Sequence, residues 1–122
     1  MKVLLVDDNE ELREFLVQCL TESSVEVKAV GDGVRALAQA ENEKFDVYVI
    51  DSLLGEADGL ALVSQLRASK SGQKVPVLVM SNLGTSLARR MAKDAGCDEF
   101  LVKPFGPGQF IEQVRALEKL RR

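Results

Sequence analysis

Four short apolar runs of the chain are each followed by polar side chains that can take part in phosphoryl chemistry. These side chains are Asp7 with Asp8, Asp51, Ser81, and Lys103 before Pro104. Carboxylates crowded at one place repel each other, by roughly 4 kcal/mol for a pair about 4 Å apart at an effective dielectric near 20. A hard divalent cation relieves that repulsion, and Mg²⁺ fits best because it accepts carboxylate and phosphate oxygens. A carboxylate can also act as a nucleophile, while an ammonium and a hydroxyl can hold phosphoryl oxygens.

Each of these signals also has a simpler interpretation when it is taken alone. An acidic pair suits the positive end of a helix, and a serine favours caps and turns. A carboxylate at a strand end or a lysine before a proline is commonly just solvated. The combination favours a shared site, because four coincidences in this order along the chain are improbable.

Composition limits the chemistry further. The chain has 122 residues, which predicts one domain over residues 1–122, and its apolar share of 46% is that of an ordinary globular protein. It contains no histidine, which excludes Ser-His and Cys-His catalysis. The net charge of −3 does not favour direct binding of nucleic acid.

The cysteines and the apolar segments bear on the compartment. Cys19 and Cys97 show no metal-binding spacing, and we expect both to be buried free thiols. No signal peptide is evident and no apolar run is long enough to span a membrane, which predicts no membrane association and a cytoplasmic location.

Apolar runs alternate with helical patterns along the whole chain. Val34, Leu37 and Ala38 are expected to face inward from the second helix, and Asn9 is expected to cap the first. Basic residues at the end of the last helix, including Arg121 and Arg122, suit its negative end. The predicted strands cover residues 3–6, 25–30, 47–50, 75–80 and 100–102.

Five strand–helix units of this length predict an α/β fold. We expect a flavodoxin-like, doubly wound, five-stranded parallel sheet of order 2-1-3-4-5 with five helices. In such sheets ligands bind beyond the carboxyl ends of the strands, at the point between the first and third strands. Asp7, Asp8 and Asp51 fall at that point.

These residues resemble the receiver domains of two-component response regulators, and the resemblance covers essentially the whole chain. The opening strand with its acidic pair, the loop after Asp51, the serine and the lysine–proline pair are each similar to the family pattern. The segments concerned are Val3-Leu4-Leu5-Val6-Asp7-Asp8-Asn9, Asp51 with Asp58-Gly59, Ser81, and Lys103-Pro104-Phe105.

The resemblance implies a role for each site residue. Asp51 would accept a phosphoryl group from a histidine kinase, and Lys103 and Ser81 would contact the phosphoryl oxygens. Mg²⁺ would be bound by Asp7, Asp8 and Asp51, together with the backbone carbonyl of Leu53.

The resemblance also implies a conformational switch. Phe100 stands at the aromatic switch position, where its ring would turn inward when Ser81 moves. That movement would change the face made by the fourth helix, the fifth strand and the last helix.

Several residues depart from the family pattern. Gly55 stands where a proline is usual. Leu53 and Leu83 flank the path of attacking water, and because neither side chain can orient water we predict slow autodephosphorylation. Asn82 replaces a smaller residue and is expected to narrow access for the phosphodonor.

The implied partners are a histidine kinase or phosphotransfer protein and a downstream protein target or output domain. A second copy of the chain is a further implied partner, in a homodimer that depends on phosphorylation. Two alternative functions stay open. One is a Mg²⁺-dependent phosphohydrolase with an aspartyl nucleophile, and the other is a degenerate receiver that acts as a phosphate-independent interaction module.

Overall fold

A five-stranded parallel sheet forms the centre of the molecule in a computed structural model that describes residues 1–120. Its strands are, in chain order, β1 (Lys2–Val6), β2 (Glu26–Val30), β3 (Val47–Asp51), β6 (Val77–Ser81) and β7 (Glu99–Val102). Between β3 and β6 the chain also forms a two-stranded antiparallel hairpin of β4 (Leu53–Leu54) and β5 (Ala57–Asp58). The order across the main sheet is β2-β1-β3-β6-β7. The predicted order 2-1-3-4-5 is therefore confirmed, and the hairpin is an addition to it.

Five helices cover the two faces of the sheet. They are α1 (Glu10–Glu22), α2 (Gly33–Asn42), α3 (Gly59–Ala68), α4 (Ser86–Ala95) and α5 (Pro107–Glu118). Helices α1 and α5 pack on one face, and α2, α3 and α4 pack on the other. The Asn9 side chain accepts a hydrogen bond from the backbone N–H of Leu12, so the predicted cap of α1 is confirmed. Arg121 and Arg122, which were assigned to the end of the last helix, lie outside the described residues.

The central strands supply side chains to both hydrophobic layers. In β1, Val3 and Leu5 point into the layer under α1 and α5, while Leu4 and Val6 point into the opposite layer. All four are fully buried. This two-sided burial explains why the strand sequences are continuous apolar runs rather than alternating ones.

Some predicted inward positions face solvent instead. Val34 is 81% exposed, because the inward face of α2 is formed by Ala36, Leu37 and Ala40 on the other side of the helix. Ala38 is exposed as well, so the predictions for Val34 and Ala38 were wrong, whereas Leu37 faces the core as expected. Neither Cys19 nor Cys97 is in a disulfide, but only Cys19 is buried, whereas Cys97 is half-buried.

The strand register brings the predicted site residues to one edge. Val6 pairs with Ile50, Asp51 with Met80, and Ser81 with Val102. The residues at the carboxyl ends of β1, β3, β6 and β7 therefore lie side by side. Among residues 1–120 no helix is both long and apolar enough to cross a membrane.

Candidate functional site

Asp7 is the first residue after β1, and hydrogen bonds fix its backbone N–H and one of its carboxylate oxygens. Its N–H donates to the carbonyl of Val30 at 3.1 Å, and its Oδ1 accepts the N–H of Asn9 at 2.9 Å. Its side chain is 0% exposed, yet Oδ2 has no hydrogen-bond partner within the described residues. Burial raises the pKa of Asp7, and the negative charges of Asp51 and Asp8 add to the increase. A cation is the ligand that would satisfy such an oxygen.

Asp8 lies exposed beside the β4–β5 hairpin. The turn of that hairpin contains Gly55, whose φ of 63° falls in the left-handed region that favours glycine. A Cβ atom on Gly55 would lie 3.7 Å from Oδ2 of Asp8. The residue that replaces the usual proline thus forms the turn next to the acidic pair.

Asp51 ends β3 and has both carboxylate oxygens engaged. Oδ1 accepts the N–H of Leu53 at 3.0 Å, and Oδ2 forms an ion pair with Nζ of Lys103. The carboxylate is nearly buried, with the residue 5% exposed, and the Lys103 side chain is also largely buried. The structure therefore brings together the acidic residue at the end of β3 and the lysine after β7, which are 52 positions apart.

Ser81 ends β6 and is buried beside the same edge. Its Oγ accepts the N–H of Leu83 at 3.1 Å, and its backbone carbonyl accepts the N–H of Lys103 at 2.8 Å. The serine hydroxyl is an acceptor in this bond, so its own proton remains available for donation. The bond between the Ser81 carbonyl and the Lys103 N–H fixes the backbone from which the Lys103 side chain extends.

Gly59 packs directly against the main chain of Asp51. A Cβ atom at position 59 would lie 1.9 Å from the Asp51 carbonyl oxygen, a distance that no larger residue tolerates. The Gly59 N–H also donates to the carbonyl of Ser52 at 2.9 Å. The loop after Asp51 therefore folds back onto its own start, and only glycine permits this.

An apolar cleft of about 270 Å³ opens beside Ser81. Leu53 and Leu83, which are 57% and 63% exposed, lie on its border together with Asn82. The ring of Phe100 is half-buried and forms another wall. The complete lining is Ser52, Leu53, Leu60, Asn82, Leu83, Ala88, Met91 and Phe100.

Two arginines near the site were not among the predicted residues. The guanidinium of Arg89 lies over the ring of Phe100, with 5.1 Å between Cζ and the ring centroid, and its Nε donates to the carbonyl of Gly84 at 3.4 Å. The Nη1 of Arg13 donates to the carbonyl of Asp7 at 2.8 Å. Contacts of this kind leave no periodic signal in a sequence, and we find no pattern that would have revealed them.

The sequence matches known proteins over almost its whole length. The sequence model of the response regulator receiver domain matches residues 3–115. The chain belongs to this family. The receiver domain is 35% identical over 122 residues to the response regulator MprA of Mycobacterium leprae, a match that covers 100% of this chain and 52% of MprA. The chain thus spans about half the length of that relative.

Solved structures show the same fold for this receiver domain. The chemotaxis protein CheY4 of Vibrio cholerae superposes with a TM-score of 0.91 at 28% identity, covering 95% of this chain and 97% of CheY4. The receiver domain of the sensor histidine kinase PA1611 of Pseudomonas aeruginosa superposes with a TM-score of 0.88 at 26% identity, covering 96% of both chains. That PA1611 domain carries a magnesium ion coordinated in its active-site cleft.

The carboxyl edge of the sheet offers few protein ligands to a metal ion. Within residues 1–120 no three His, Cys, Asp or Glu side chains are grouped as ligands of a single metal ion. Mg²⁺ commonly uses only one or two carboxylates and keeps several waters. The free Oδ2 of Asp7 and the exposed carboxylate of Asp8 fit that requirement.

Proposed function

We propose that this receiver domain accepts a phosphoryl group on Asp51 in a Mg²⁺-dependent reaction. One observation carries the proposal: a buried carboxylate at the carboxyl edge of the sheet is paired with Lys103, beside an Asp7 oxygen that has no partner among the described residues. A carboxylate with a positive charge on one side and a cation site on the other is suited to attack a phosphate.

The Mg²⁺ ion would be held first by Asp7 and Asp8. Asp51, whose two oxygens are now bonded to the N–H of Leu53 and to Lys103, and the backbone carbonyl of Leu53 would join them once Lys103 releases Asp51. When bound, it neutralises charge on the phosphoryl oxygens. The fit rests on the unpartnered oxygen of Asp7, which is buried where an isolated negative charge is unfavourable.

The protein residues have distinct parts in the transfer. A carboxylate oxygen of Asp51 attacks the phosphorus of a phosphohistidine on a histidine kinase or phosphotransfer protein. A P–O bond forms, the P–N bond breaks, and the imidazole leaves with the bonding electron pair. Lys103, which now pairs with Oδ2 of Asp51, shifts to a phosphoryl oxygen, and the Ser81 hydroxyl donates a hydrogen bond to another.

The cleft beside Ser81 supports the switch assigned to Phe100. When Ser81 moves towards the phosphoryl group, the loop that carries Leu83 moves with it, because the Leu83 N–H is bonded to Ser81 Oγ. The Phe100 ring then turns into the cleft that it now borders. The face made by α4, β7 and α5 changes, and with it binding of a downstream target, an output domain or a second copy of the chain.

Titration with beryllofluoride, which mimics a phosphoryl group, tests the proposal. With Mg²⁺ present, we expect saturable changes in the amide resonances around Asp51, Ser81 and Phe100. The variant Asp51→Asn, which keeps the shape of the side chain, should show none of them. Identical spectra for wild type and Asp51→Asn would support the phosphate-independent alternative instead.

A further inference from the structure

Arg13, one turn into α1, bonds the main chain of the acidic pair. Its Nη1 donates to the carbonyl oxygen of Asp7 at 2.8 Å, and the bond is partly buried. Charged donors make stronger hydrogen bonds than neutral ones. The carbonyl of Asp7 belongs to the peptide unit that leads to Asp8, so this bond sets the direction in which the chain enters Asp8.

Gly31 leaves the space that the guanidinium occupies. It follows β2, and a Cβ atom there would lie 3.2 Å from Nη1 of Arg13 and 3.9 Å from the carbonyl oxygen of Asp7. A distance of 3.2 Å is tighter than ordinary contact, so even alanine would push the guanidinium. The end of β2 thus forms one wall of a slot in which Arg13 meets Asp7.

These contacts restrain Asp7 on three sides. Val30 accepts its N–H, Arg13 bonds its carbonyl, and Asn9 donates to its Oδ1. The atom left over is Oδ2, which is buried and has no hydrogen-bond partner within residues 1–120. The restraints therefore present one carboxylate oxygen in a defined place.

We propose that Arg13 is a positioning residue of the cation site. It acts through the Asp7 carbonyl and fixes the Asp7–Asp8 peptide, so that Oδ2 of Asp7 and the carboxylate of Asp8 face the same ion. This inference rests on the proposed Mg²⁺ binding and adds the residue that organises it. Residues that orient metal ligands commonly change metal affinity by about 10- to 100-fold when they are removed. Arg13 bonds the main chain rather than a ligand oxygen, so we expect about three- to ten-fold.

The experiment is a titration with MgCl₂ followed by the amide resonances of Asp8 and Leu53, with thermal unfolding of each variant. Arg13→Met should raise the Kd for Mg²⁺ about three- to ten-fold. Arg13→Lys should recover most of the affinity, because its ammonium can donate to the same carbonyl. Gly31→Ala keeps every charge and should raise the Kd in the same direction by a smaller factor.

Arg115 of α5 provides the control, because its side chain bonds the main chain at the far end of α1. The Nη2 of Arg115 donates to the carbonyl of Ser23 at 2.7 Å, which is the same kind of bond away from the acidic pair. Arg115→Met should leave the Kd for Mg²⁺ unchanged. If Arg13→Met fails to fold, the comparison of Gly31→Ala and Arg13→Lys with wild type decides the question.

Three results would overturn the proposal, and each has a different meaning. Tighter Mg²⁺ binding by Arg13→Met that vanishes at high salt would show that Arg13 only repels the ion. A lower melting temperature with an unchanged Kd would show a purely structural role. No saturable response in wild type, with Asp8→Asn behaving identically, would remove the proposed Mg²⁺ site itself.

Discussion

Gly59 packs against the main chain of Asp51, so a larger residue at position 59 would displace that strand end. We predict that Gly59→Ala lowers the free energy of unfolding by roughly 2–4 kcal/mol, because its Cβ would overlap the Asp51 carbonyl oxygen, 1.9 Å away. Urea denaturation measures the change.

Gly108 provides the control for that substitution. It lies in α5, where an added Cβ atom would meet no other atom within 4 Å, so Gly108→Ala should range from neutral to about 1 kcal/mol more stable. Equal stability of the two variants would contradict the close contact between Gly59 and Asp51.

Leu53 and Leu83 are predicted to set the lifetime of phosphorylated Asp51. Both border the cleft beside the site, and neither carries a group that can orient water. The wild-type phosphorylated form should therefore persist well beyond seconds, and Leu83→Gln should shorten its lifetime several-fold. The fraction of phosphorylated protein over time, after removal of the phosphodonor, measures this.

Leu87→Gln is the matched control, because Leu87 is equally exposed but does not line the cleft. It should decay at the wild-type rate. Decay of the wild-type protein within seconds would contradict the assignment of both leucines.

For individual residues, the sequence predicts which chemical groups form the site but not the contacts that position them. Asp7, Asp51 and Lys103 could be predicted because each follows an apolar run, and parallel strands align their ends. Arg13 could not, because its partner is a backbone carbonyl, which every residue carries. The role of Gly59 was likewise implied only by resemblance, since a close approach of two backbones is invisible until the loop is folded.

Helix α4 buries fewer side chains than any of the other four helices. Its inward side chains are small, namely Ala88, Ala92 and Ala95, while Leu87 and Met91 are exposed. A helix that buries so little apolar surface moves at low energetic cost. This suits the part assigned to it in the switch.

Arg89 is predicted to hold α4 and Phe100 in the present arrangement. Its guanidinium lies over the Phe100 ring and also bonds the loop before α4. A cation–π contact at an exposed site is worth about 0.5–1 kcal/mol, so Arg89→Met should tighten beryllofluoride binding about two- to five-fold. A beryllofluoride titration followed by amide resonances would measure the affinity.

Arg90 is exposed on the same helix and offers a control of equal charge. Arg90→Met should bind beryllofluoride like the wild type. Equal affinities for Arg89→Met and Arg90→Met would show that Arg89 does not bias the switch.

The elements differ in how well the sequence predicts them. Strands β1, β3 and β6 were evident because burial on both faces requires unbroken apolar runs. The β4–β5 hairpin was missed because two-residue strands are too short to show a period. Val34 was misplaced because a single apolar residue near a helix start fits more than one face.

Across the whole molecule, one arginine joins parts of the chain that lie at the amino ends of the strands. Arg67, in α3, donates to the carbonyls of Gly96, Gly72 and Val75 and pairs with Asp98 at 2.8 Å. The Asp98 carboxylate also accepts the N–H of Val77 at the start of β6. This network ties the end of α3 to the turn between α4 and β7.

Removal of this guanidinium should destabilise the fold. Arg67→Met removes the guanidinium that pairs with the buried Asp98 carboxylate, and we expect a loss of about 3–5 kcal/mol. Chemical denaturation measures it. Arg35→Met, which removes an exposed ion pair with Asp32, should change stability by less than about 1 kcal/mol. Similar losses of stability in both variants would contradict the prediction that the buried contacts of Arg67 stabilise the fold.

The molecular architecture follows from the sequence more fully than the activity does. Alternating strands and helices leave few right-handed parallel arrangements, and the one expected was found. The sequence pattern does not predict the partners in the same way. Partners bind surface residues such as Leu87 and Met91, and packing of the core does not determine which residues stand there.

Mg²⁺-dependent phosphorylation of Asp51 is the central claim, and intact-protein mass spectrometry tests it most directly. After incubation with an acyl phosphate and Mg²⁺, we expect a mass increase of one phosphoryl group that maps to Asp51. The increase should be absent with a metal chelator and in Asp51→Asn. Equal modification with the chelator or in Asp51→Asn would contradict the claim, as would steady release of phosphate from a generic phosphate ester.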